Sequence, residues 1–121
     1  MTTISQRLRA ATADAHERAE NAAFIDDLLS GRLDADEYGR LASQLYFVYS
    51  ALEHVGGSLV GDPIADAVLD DRLLRSARLR SDLHALGVDP ETVTPRPAVD
   101  RYVDAIEARR TDPARYGAHH Y

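Results

Sequence analysis

There is no cysteine in this sequence. That one absence excludes disulfides, cysteine-bound zinc, iron–sulfur clusters and a thiol nucleophile. Lysine is absent too: all 14 basic residues are arginine, which reads as GC-rich coding rather than chemistry. Positive charge is in deficit, with a net charge of −6, and this argues against general nucleic-acid binding, which needs clustered cations. The opening MTTISQRLRA lacks the apolar stretch of a signal peptide, and no later run is long enough to span a bilayer. The expectation is a cytoplasmic protein with no membrane association. Sustained period-two alternation is missing, so strands are not expected. No repeat, low-complexity tract or long linker interrupts the 121 residues, and a single domain, 1–121, is the natural reading.

What is present reads as helices. Apolar residues make up 45% of the chain, enough for one core, and they recur at three- and four-residue steps. Thr3 with Gln6 forms a capping-box pattern, and Asp34 with Glu37 a looser one. Pro97 and Pro113 suit first-turn positions, while Gly31 and Gly87 follow helix-like runs as stop signals. These signals predict helices over 3–21, 22–30, 34–60, 64–86 and 97–110, with a sixth beginning after TDP. The third should bury Tyr38, Leu41, Leu45, Val48, Leu52, Val55 and Leu59, and Gly56–Gly57 should weaken or kink it. Leu69, Leu73, Leu83 and Leu86 are core candidates on the fourth, and Val99, Tyr102, Val103 and Ile106 on the fifth.

The first helix carries the chemistry. Arg9, Ala13, His16 and Glu20 fall within a stripe about 60° wide at about 100° per residue. Arg9 lies roughly 10 Å along the axis from His16, and Ala13 between them is small. A neutral imidazole is a good iron ligand. A carboxylate one turn away can orient its other nitrogen, and an arginine two turns away suits an acid group on the same ligand. The set fits heme, with iron on His16 and a propionate near Arg9. A solvated His–Glu pair on a surface helix has the same spacing, so the stripe alone leaves both readings open. His54 and His84 show no obvious partner in the sequence and read as surface or boundary residues.

Several blocks extend the pattern: LRAATADAHERAENAAFIDDLLSGRL, LYFVYSALE, DRLLRSARLRSDLHALG, AVDRYVDAI and YGAHHY. Collinear and suitably spaced, they resemble the biliverdin-producing heme oxygenases of bacterial type. The resemblance implies an all-α, multi-helical heme-oxygenase-like bundle, with heme b between a proximal and a distal helix. It implies an enzyme that uses heme as substrate and cofactor. With O2 and reducing equivalents from a reductase or ferredoxin, such an enzyme opens the ring to biliverdin, CO and ferrous iron. By the same resemblance, His16 is the proximal iron ligand and Glu20 its acidic support. Arg9 stands where the family places a basic residue near a propionate, and Tyr121 where a tyrosine lines the propionate edge. Tyr49 stands where the family has a tyrosine of the distal hydrogen-bond network; it also lies beside the apolar stripe of its helix and reads equally as core.

The family's glycine-rich G-D-L-S-G-G-Q motif of the distal helix does not occur in this sequence. The expectation is therefore a C-terminally truncated chain that binds heme weakly and does not turn it over efficiently. Its exposed apolar faces would then invite association. Three other readings compete: a non-catalytic heme-sequestering protein, a thiaminase-like relative disfavoured by the missing cysteine nucleophile, and a helical interaction module with no ligand. The tail GAHHY reads as the first turns of the distal helix, capped near Thr111–Asp112. Adjacent His119 and His120 point about 100° apart on a helix and do not chelate together.

Overall fold

A computed structural model of the chain describes every residue except 21, 23–25, 28, 29 and 121, together with the backbone but not the side chain of Glu20. The chain divides into two units, Met1–Asp34 and Ala35–Tyr121.

The first unit is built on α1, Ile4–Glu20. Its helicity follows from alanine at positions 10, 11, 13, 15 and 19, the residue with the highest intrinsic propensity. The capping box forms as the sequence suggests. The Thr3 N–H donates to Gln6 Oε1 at 2.9 Å, and the Gln6 N–H donates to Thr3 Oγ1 at 3.2 Å. The predicted helix over 22–30 falls largely outside the described residues; Asp26 and Asp27 within it are helical. Both carboxylates are bridged by the Arg32 guanidinium, at 2.5 Å and 3.0 Å.

The second unit is organised by α2, Ala35–Ser58. It is followed by α3 (Pro63–Asp66), a 3-10 turn (Asp71–Leu73), α4 (Ser76–Ala85) and a second 3-10 turn (Pro90–Thr92). The chain continues as α5 (Pro97–Glu107), a third 3-10 turn (Ala108–Thr111) and α6 (Pro113–Ala118), and no strand occurs among the described residues. The fold is all-α. α2 packs along both α4 and α5, and α3 packs on α6. Ala51, Leu52 and Val55 recur on one face of α2 and, with Leu59 just past its end, meet Ala65, Ile106 and Tyr116 to form the core.

The structure revises the sequence reading at four places. Gly56 and Gly57 do not interrupt α2, which runs on to Ser58. Gly56 is instead a packing device: a Cβ there would collide with the Tyr116 hydroxyl and sit 2.9 Å from Leu69 Cδ2. The single helix expected over 64–86 is broken into α3, a 3-10 turn and α4. The breaks have local causes. Asp62 Oδ1 accepts from the N–H groups of Ile64 (2.9 Å) and Ala65 (3.2 Å), and Asp70 Oδ1 accepts from that of Arg72 (2.8 Å). Each aspartate thus restarts the helix rather than continuing it. With the register broken, Leu83 is fully buried while Leu73 and Leu86 are exposed. Tyr38, Leu45 and Tyr102 are also exposed rather than core. Finally, α5 ends at Glu107, and the remaining expected turn is 3-10.

Other signals hold. Pro97 and Pro113 occupy first-turn positions, and Asp112 caps α6 by accepting the Arg115 N–H at 3.1 Å. Gly87, at φ +73°, ends α4 in a Schellman motif: its N–H donates to His84 O at 3.0 Å and the Val88 N–H to Leu83 O at 2.8 Å.

Candidate functional site

α1 is unbroken from Ile4 to Glu20, so Arg9, Ala13, His16 and Glu20 keep the helical spacing that defines one stripe. Arg9 and His16 are exposed, which leaves a guanidinium and an imidazole accessible on that helix. The donor set suits heme: a neutral nitrogen for iron, and a cation two turns away for an acid group. The side chain of Glu20 and all of Tyr121 lie outside the described residues, so the roles expected for them have no geometry here.

Tyr49 belongs to the second unit. It is half-buried on α2, packs against the core cluster and lines a groove of about 660 Å³. This packing agrees with the reading of Tyr49 as a core residue. Leu45, Val48, Leu52 and Glu53 of α2 line the groove together with Tyr102, Tyr116, His119 and His120.

Glu53 is the organising carboxylate of this groove. Its Oε1 accepts the N–H of Arg75 at 2.7 Å and that of Ser76 at 3.1 Å, and its Oε2 accepts the Ser76 hydroxyl. An α2 side chain thus supplies the cap that α4 lacks from its own sequence, with negative charge at a helix N-terminus. Sequence spacing could not reveal this, because the partners are 22 and 23 residues apart.

Tyr116 is the second organising group. It is almost fully buried, and its hydroxyl donates to Leu52 O at 2.9 Å. Burial, reinforced by the negative charge of Glu53, pushes the phenol above its ordinary pKa, so it stays a neutral donor. His54 also has a partner that the sequence did not announce: Arg110 Nη2 lies 2.5 Å from His54 Nε2 while the same guanidinium grips Glu107. Arginine can only donate, so His54 accepts at Nε2 and, as a neutral ring, carries its proton on Nδ1. Among the described residues no three His, Asp or Glu side chains converge as a metal centre, and His119 and His120 belong to none.

Comparison with known proteins gives a consistent outcome. A family model described as Heme oxygenase matches residues 2–121. A heme oxygenase of Pyropia yezoensis is 36% identical over 106 residues, covering 86% of this chain and 44% of that protein. Heme oxygenase 1 of Homo sapiens is 33% identical over 123 residues, covering 98% of this chain and 42% of its own length. The crystal structure of heme oxygenase-1 from the cyanobacterium Synechocystis, in complex with heme, superposes with a TM-score of 0.84 at 31% identity, over 99% of this chain and 56% of that one. The heme oxygenase of Leptospira interrogans superposes with a TM-score of 0.85 at 28% identity, over 99% and 60%. The chain spans about half the length of the curated relatives it matches.

Proposed function

The chain belongs to the heme oxygenase family, and from that membership we propose that it carries the proximal, iron-binding side of an enzyme that degrades heme to biliverdin, CO and ferrous iron. The observation that carries the reading is the unbroken α1, which holds Arg9 and His16 two turns apart on one face within a chain matched to the family from residue 2 to 121. When bound, heme supplies the iron at which dioxygen is activated and the ring that is opened.

The roles of the residues are those the family resemblance implies, and their chemistry suits them. His16 offers a neutral imidazole to iron, which suits oxygen binding where a thiolate would favour O–O cleavage. Glu20, one turn on in sequence, would be the acidic support of that imidazole that the family resemblance implies. Arg9 would hold one propionate through charge-assisted hydrogen bonds. By the family resemblance, Tyr49 would offer a hydroxyl to a distal hydrogen-bond network, and Tyr121 would be the tyrosine of the propionate edge. Electrons come from a reductase or ferredoxin. No helix among the described residues is long and apolar enough to cross a membrane.

A heme titration tests the assignment. The wild-type chain should give the absorption spectrum of histidine-ligated heme. His16→Ala should lose that spectrum and bind heme at least about ten-fold more weakly, the scale seen even for groups that merely support a ligand. An unchanged spectrum and affinity would remove His16 from the site. Adding a reductant and dioxygen then separates two outcomes. Biliverdin marks turnover by the 121-residue span itself, and a stable heme spectrum marks binding without ring opening.

A further inference from the structure

The groove beside Tyr49 gathers exposed apolar surface. Eight large apolar side chains of the second unit are exposed among the described residues, and five of them line this one groove: Leu45, Val60, Leu73, Leu74 and Tyr102. Leu73 and Leu74 are 49% and 50% exposed, and Val60 is 74% exposed. Apolar residues scattered singly over a surface are ordinary, whereas a set gathered in one groove marks an interaction face. Leu73 closes the 3-10 turn and Leu74 follows it, so the break in the helix expected over 64–86 is what presents this pair.

The polar groups of the groove are largely matched within the chain. Glu53 takes the N-terminus of α4, Asp70 takes Arg72, and the Tyr116 hydroxyl donates to Leu52 O. His120 Nε2 lies 2.9 Å from the Tyr116 hydroxyl, and His119 Nδ1 lies 3.1 Å from that of Tyr102. What the groove has left to offer is apolar area, with Asp71 and Arg75 as lining charges of opposite sign. That composition suits the apolar stripe of an amphipathic helix better than a charged small molecule. An extended peptide is disfavoured: no strand occurs among the described residues, so its backbone N–H and C=O groups would find no sheet edge to pair with.

The solved relatives have chain available to cover such a face. The superposed span takes in 99% of this chain but only 56% of the Synechocystis chain and 60% of the Leptospira one, so about two-fifths of each relative lies outside it. We propose that the groove is the seat of an amphipathic helix from that remaining part of the family fold, and that the 121-residue span binds such a helix when it is offered on a separate chain. The inference rests on family membership, not on the assignment of His16 or on heme cleavage, and its test reads association without heme.

The 121-residue chain is co-expressed with the segment of Synechocystis heme oxygenase-1 that follows the superposed span, carried on a separate polypeptide. A 1:1 complex should be recovered and should persist in sedimentation. Leu73→Asp/Leu74→Asp should raise its dissociation constant at least about ten-fold, because a carboxylate cannot replace the buried apolar area. Ile64→Asp changes a similarly exposed residue that does not line the groove, and should leave the constant within about two-fold. Val60→Asp gives the same reading as the leucine pair if that double variant does not fold. Absence of a complex, a complex indifferent to the groove variants, or one weakened equally by Ile64→Asp would each overturn the proposal. So would self-association of the chain that Leu73→Asp/Leu74→Asp abolishes and the segment does not displace, since a second copy would then be the occupant.

Discussion

α1 and α2 are both long helices, yet they are maintained by different things. α1 rests on near-neighbour signals: alanines, a reciprocal capping box, and the Thr12 hydroxyl bonded back to Leu8 O at 2.8 Å. α2 buries seven residues, from Gly39 to Gly56, and supplies groups that fasten distant segments. Glu53 caps α4, Leu52 O receives Tyr116, and Gln44 bridges the Arg96 N–H at 2.9 Å and Thr94 O at 3.4 Å. The difference teaches where each kind of information sits. The candidate iron ligand is on the helix whose structure is written locally, and the architecture is on the helix whose structure depends on contacts 50 or more residues away.

Substituting Gly56 gives the largest expected effect of that difference. A methyl at this position meets the buried Tyr116 hydroxyl and Leu69, and neither can withdraw without disturbing the core. Overpacking of this kind costs about 1–3 kcal/mol, only partly offset by the roughly 1 kcal/mol that alanine gains over glycine in helix propensity. Gly56→Ala should therefore lower the urea midpoint of the chain with an unchanged denaturant slope. A midpoint equal to or above wild type would mean that α2 is governed by propensity, as α1 is, and would erase the contrast.

The same contrast explains what was legible in the sequence. The helix class, α1 with its cap, the starts of α5 and α6 and the glycine stop at Gly87 all rest on signals within a few residues, and all could be read directly. The His16 stripe was legible for the same reason: its spacing is a property of one helix. The segment after α2 was misread because Asp62 and Asp70 act through their own side chains as caps, while the leucine period continues across the breaks. Gly56 was misread as a kink because the sequence shows a missing side chain but not the Tyr116 that occupies its place. The cap from Glu53, the His54–Arg110 contact and the Tyr102–His119 pair are products of tertiary folding, so no spacing rule could have found them, whereas Tyr116 and His120 are four residues apart.

On α1 the matching change is smaller and local. Thr3→Ala removes one half of the capping box, worth about 1 kcal/mol for a typical N-cap. Backbone chemical shifts of residues 4–8 should move toward coil while those of 45–55 stay in place. A loss spread through both regions would show that α1 is not locally determined.

Gly57→Ala sharpens the comparison most, although its effect is smallest. Gly57 neighbours Gly56 on the same helix, but a Cβ built there meets nothing within 4 Å, and the residue is exposed. Only backbone terms remain. Alanine reduces the freedom of the unfolded chain and favours the helix, so the variant should be stabilised by about 0.4–1 kcal/mol. The urea midpoint should rise in Gly57→Ala and fall in Gly56→Ala. Opposite signs at adjacent glycines cannot come from propensity, composition or helix length, which the two positions share. They can come only from what stands against each residue, and at Gly56 that is the ring of Tyr116 crossing from α6. Equal shifts in the two variants would place the origin of α2 stability in its own sequence and remove Tyr116 as the reason for the glycine.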